Sequence, residues 1–90
     1  MAHKIMRLVA LADGSPHPLA GRYVVDYDPT ILPGGEVFLA TTDDPEKAKR
    51  FRAGEALAWW KAVSPNVPTR SDGKPNRPLS CWSVVIEDAP

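Results

Sequence analysis

The chain has 90 residues, 43% of them hydrophobic and 24% charged. That length fits one domain over residues 1–90, and it excludes both a large core and a second domain. The formal net charge is zero, so the charge balance by itself points to no class of partner.

Residues 4–11, KIMRLVAL, place Ile5, Val9 and Leu11 on one side of an extended chain and Met6, Leu8 and Ala10 on the other. Apolar groups on both sides predict a strand covered on both faces. The apolar run after Arg7 extends only from Leu8 to Ala12, short of the roughly 7–15 residues of a secretory signal, so a strand is the better reading. The loop ADGSPHPLAG follows. Residues 21–28, GRYVVDYD, alternate Tyr23, Val25 and Tyr27 against Arg22, Val24 and Asp26, the pattern of a half-buried strand. Pro33-Gly34-Gly35 supplies a turn, and residues 36–42, EVFLATT, return as the second arm of a hairpin.

Asp44-Pro45 is a helix start, because the carboxylate caps an orphan amide and proline fits the first helical position. Ala48 and Phe51 share one helical face, and beyond Gly54 the residues Ala53, Ala56, Leu57, Trp60 and Val63 recur at helical spacing. The prediction is one helix over 45–63, or two short ones kinked near Ala53-Gly54. Residues 64–78 hold four prolines and no periodicity, and are expected to form a long loop of the kind that often carries function. Residues 79–88 close the domain as a strand, with Trp82, Val84 and Ile86 on one side.

The expected fold is therefore α+β, a small, mostly antiparallel sheet of about four strands in the order β-β-β-α-β, with the helical segment packed on one face. Its expected core is Val25, Phe38, Phe51, Ala56, Leu57, Trp60, Trp82, Val84 and Ile86.

Few side chains suit bond-making chemistry. The lone Cys81 excludes an internal disulfide. His3, His17 and Cys81 share no metal-ligand spacing, so no metal and no cofactor is expected. Asp43-Asp44 reads as helix capping and Glu87-Asp88 as a polar tail. With no apolar run long enough for a membrane helix, a cytoplasmic, non-enzymatic binding protein is the expectation.

Charge is unevenly distributed. Residues 1–46 carry three cations against seven anions, residues 47–77 eight cations against two anions, and the tail adds the anions Glu87 and Asp88. Within the basic segment, Lys47 and Arg50 are candidate phosphate contacts. Trp59 is a candidate anchor for a protein partner, because adjacent Trp59 and Trp60 diverge by about 100° on a helix and only Trp60 fits the apolar face. The alternative is that Trp59 lies under the 64–78 loop. In SDGKPNRPLS, residues 71–80, a tight turn and two prolines stiffen the backbone. Arg70, Lys74 and Arg77 can thus present charge to a partner in a fixed arrangement at little entropic cost; the alternative is that the prolines only guide the chain from the helix end back to the sheet.

GRYVVDYDP, FLATTDDPEKAKRF with GEAL, and RSDGKPNRPLSCWSVVI together resemble small accessory proteins encoded by phages and prophages. Tyr23, Thr42, Asp44, Ala48, Phe51, Glu55-Ala56 and the Asp72-to-Leu79 stretch carry the resemblance. It implies no catalytic residue. It does imply a binding role such as inhibition of a host bacterial complex, a CRISPR complex among them. A weak nucleic-acid binder using residues 47–77 is the alternative.

Overall fold

The computed structural model describes residues 3–90. Strands β1 (Lys4–Leu11), β2 (Tyr23–Asp28), β3 (Phe38–Thr42) and β4 (Trp82–Asp88) form one antiparallel sheet in the spatial order β3-β2-β1-β4. One α-helix, α1 (Glu55–Lys61), and two short 3-10 helices, Pro45–Lys47 and Pro78–Cys81, complete the α+β chain order β-β-β-α-β. β1 sits inside the sheet, and Ile5, Met6 and Leu8 are all buried, as apolar groups on both faces require.

The β2–β3 hairpin forms as its alternation predicts, with Tyr23 opposite Thr42 and Asp28 opposite Phe38. One detail reverses the expected facing. The register shifts between Val24 and Asp26, so Val25 is the extra residue of a bulge. Val24 and Tyr27, an odd number of residues apart, therefore both reach the core, and Val25 is only half-buried.

Of the two alternatives, one helix over 45–63 or two short ones, the chain forms two short helices, but an extended stretch separates them in place of a kink near Ala53-Gly54. Asp44 caps as expected, its Oδ1 accepting the Glu46 N–H at 2.9 Å, but the 3-10 turn ends after Lys47. The chain then runs extended. Lys4 and Phe51 exchange backbone hydrogen bonds of 2.9 and 2.7 Å, and the Lys49 N–H donates to the Val24 carbonyl at 3.0 Å. β1 and β2 pair directly only around Arg7 and Tyr23, and residues 49–51 bind both strands where the two diverge. Gly54, at φ 82°, turns the chain into α1 through a left-handed conformation that L side chains disfavour.

The core gathers Met6, Leu8, Val24, Tyr27, Phe51, Ala56, Leu79 and Trp82. Phe51, Ala56 and Trp82 are buried as expected, while Trp60 and Val84 pack against the cluster half-buried. Three expected core residues are exposed: Leu57 (46%), Phe38 (49%) and Ile86 (37%). The seven-residue α1 turns Ala56, Trp59 and Trp60 inward and leaves Leu57 outside. Phe38 lies opposite exposed Asp28 on the edge strand β3.

Residues 64–77 form a small closed arm rather than an open loop. Thr69 and Pro75 make a β-bridge. At the tip the Arg70 N–H donates to the Lys74 carbonyl at 2.8 Å, and Gly73, at φ 84°, makes the turn. At the base the Ser64 N–H donates to the Asn76 carbonyl at 2.8 Å, and the Asn76 side chain donates to the Val67 carbonyl at 2.8 Å. Asn66 ties the arm to the hairpin loop, its Oδ1 accepting the Ile31 N–H at 2.9 Å and its Nδ2 donating to the Ile31 carbonyl at 2.8 Å.

Candidate functional site

The tight turn at Asp72-Gly73 folds the two flanks of the arm together, which brings Arg70, Lys74 and Pro75 over the C-terminal end of α1. With Trp60, Lys61, Arg77 and Ser80 they line an open cleft of about 310 Å³. Three of the four candidate partner-binding residues thus meet at one place. Trp59, the fourth, does not line it.

Trp60, not Trp59, lines the cleft. Its Nε1–H donates to the Trp82 carbonyl at 3.1 Å, which fixes the ring between core and cleft. Trp59 is half-buried and locked inward. Phe51 meets it edge to face at 4.9 Å, Tyr27 lies at 6.3 Å, and Lys49 Nζ stands 5.1 Å from its ring centre. Of the two tryptophans it is Trp60 that shares a cleft with Arg70, Lys74, Pro75 and Arg77 of the 64–78 segment.

The basic groups of the cleft differ in freedom. Arg77 Nε donates to the Lys61 carbonyl at 3.0 Å, capping the end of α1 with a cation where the helix dipole favours one. Arg70 is paired with Asp72 at 3.2 Å. Lys61 and Lys74 are exposed and make no ion pair among the described residues. The cleft therefore has excess positive charge over an aromatic floor. A carboxylate or phosphate group carried on an apolar stem fits it, with charge-assisted hydrogen bonds to the cations and the stem against Trp60.

Lys47 and Arg50 stand apart from this cleft. Both are exposed, and Arg50 donates to the Pro90 carbonyl at 3.0 Å. Comparison with known proteins finds no matching family model, curated protein or solved structure.

A second, broader groove of about 1010 Å³ lies on the other side of the arm and shares Arg70, Arg77 and Ser80 with the first. His17, Glu36 and Cys81 all border it, a meeting of reactive types that their sequence spacing does not signal. Their geometry is not that of a nucleophile and its base. His17 Nδ1 accepts the Leu19 N–H at 3.1 Å, and its ring stands edge-on to Trp82 at 4.7 Å. No hydrogen bond joins His17 to Cys81 among the described residues. Cys81 is exposed at its surface, but the protein crowding its sulfur pushes the thiol up, away from the thiolate that nucleophilic chemistry needs. The described residues contain no cluster of His, Cys, Asp and Glu that could hold a metal ion. They contain no helix long and apolar enough to cross a membrane.

Proposed function

We propose that this chain works by binding rather than by bond-making, and that its partner is a protein presenting an acidic segment to the cleft at the end of α1. One observation carries this reading: Lys61, Arg70, Lys74 and Arg77 converge on Trp60, and the arm that carries Arg70 and Lys74 is fixed at tip and base by its own hydrogen bonds. A site ordered before binding loses little entropy on association, and a half-buried tryptophan among cations is a common interface anchor. The resemblance to small phage proteins supplies one concrete form, the blocking of a host bacterial complex such as a CRISPR complex.

A nucleic-acid reading has one observation in its favour, the interleaving of Trp60 with four cations. Three features favour the protein. The cleft is short, the net charge is zero, and Lys47 and Arg50, which would extend a phosphate track, lie outside it. Titration with an Asp/Glu-rich peptide and with a single-stranded DNA oligonucleotide separates the two. The protein reading expects the peptide to bind more tightly and Lys61→Glu with Lys74→Glu to abolish its binding. Tighter oligonucleotide binding that weakens steeply with salt overturns it.

A further inference from the structure

β4 is an edge strand, and its free side can be read from the hydrogen-bond parity of its pairing with β1. The Ala89 N–H donates to the His3 carbonyl at 2.9 Å, so residues 3 and 89 form a hydrogen-bonded pair. Such pairs alternate along an antiparallel ladder. Glu87 opposite Ile5 and Val85 opposite Arg7 thus direct their backbone groups at β1, whereas Asp88, Ile86 and Val84 direct theirs outward. Leu8 confirms the parity, since it lies opposite Val84 and turns its own N–H and carbonyl to Arg22 and Gly21 on the β2 side. Trp82 confirms it at the far end, where its outward carbonyl is taken by Trp60.

The outward N–H and carbonyl groups of Val84 and Ile86 have no partner among the described residues. Protein edges are usually guarded by proline, by an inward charge or by net charge along the strand. The centre of this edge is unguarded. β4 reads WSVVIED with no proline, Ser83 to Ile86 carry no charge, Val85 and Ile86 are each 37% exposed, and its two acids lie at one end, Glu87 paired with Arg7 and Asp88 with Lys4.

We propose that β4 pairs with β4 of a second copy of this chain, antiparallel about a two-fold axis at Val85, joining two four-stranded sheets into one of eight strands. The parity selects that register. Val84 of one copy faces Ile86 of the other, and both present outward backbone groups, so the two symmetric pairs form four backbone hydrogen bonds. Val85 meets its own copy as a close non-hydrogen-bonded pair on the open sheet face, and Ser83 stands opposite Glu87. Trp60, on the Trp82 carbonyl, ends the pairing at each outer limit. A second copy is favoured over an unrelated extended segment because the axis at Val85 sets the uncharged centre against itself and places Glu87 and Asp88 opposite Ser83 and Trp82, so that no like charges meet.

Sedimentation equilibrium over a range of concentrations tests this, together with amide exchange at the same concentrations. The expected result is a mass that rises from one chain to two, with the Val84 and Ile86 amides becoming protected as it does. Val85→Glu sets like charges against each other across the axis while leaving Arg7 as a neighbour within the fold. Ile86→Pro removes an outward N–H and no bond to β1. Each should weaken association at least about tenfold with an unchanged circular dichroism spectrum. A one-chain mass at every concentration overturns the proposal, as does a dimer indifferent to Val85→Glu with fast-exchanging Val84 and Ile86 amides. Neither outcome bears on the cleft beside Trp60.

Discussion

The Phe51 ring meets the Trp59 ring edge to face, at 4.9 Å and 82°, across the junction between the inserted segment 49–51 and α1. This contact fastens the helix to a segment that hydrogen-bonds to both β1 and β2. Trp59 is thus part of the fold's fastening. Trp59→Ala is expected to cost about 2–3 kcal/mol, below the range for a fully buried aromatic because the ring is half-exposed. Urea denaturation measures this, and a loss under 1 kcal/mol would place Trp59 outside the core.

Tyr27 has a buried hydroxyl with no hydrogen-bond partner. The neighbouring backbone of Leu79 favours its ionised form without reaching bonding geometry, and burial outweighs it, pushing the group up to about 12. A raised acid pKa means that the folded state holds its proton more tightly than the unfolded chain. The resulting stability is fully present below pH 10 and is lost as the pH rises toward 12. Tyr27→Phe should be neutral or slightly stabilising at pH 7, and its stability should fall less between pH 10 and 12 than the parent's. Chemical denaturation of both proteins across that window provides the comparison.

Gly54 has open space where a side chain would begin, so only its φ of 82° opposes substitution. Gly54→Ala is expected to destabilise by about 1–2 kcal/mol and Gly54→Asn by less, because asparagine tolerates the left-handed region better. Equal losses for the two would mean that packing, not backbone strain, governs the site.

The sheet was legible in the chain because alternation and turn residues agree over β1 and the β2–β3 hairpin. What escaped is set by contacts distant in sequence. Ala48 and Phe51 have helical spacing, yet segment 49–51 runs extended and makes its backbone hydrogen bonds to Lys4 and Val24, partners distant in sequence. The bulge at Val25 leaves no mark in an apolar run where Val24 and Val25 are alike. The cleft was readable in part, since Asp72-Gly73 must fold Arg70 and Lys74 together, and Arg77 follows at the arm's base. Trp60 was assigned wholly to the core because helical periodicity does not show that a short helix ends beside the arm.

Asn66 joins the arm to the hairpin loop through both Ile31 backbone groups. Asn66→Ala removes both bonds and the Ser64 hydroxyl's acceptor, at a cost of about 1 kcal/mol for each bond lost. Amide exchange should accelerate across residues 64–77 while β1 and the β1-bonded amides of β4, Val85 and Glu87, remain protected. Uniform acceleration throughout the chain would show that the arm is not a separate unit.

The most direct test of a pre-ordered, partner-binding cleft is backbone and indole chemical-shift mapping with an Asp/Glu-rich peptide. Saturable shifts are expected at the Trp60 indole and at Lys61, Lys74 and Arg77, lost in the Lys61→Glu, Lys74→Glu double variant. Shifts confined to other surfaces, or none at millimolar peptide, would contradict it.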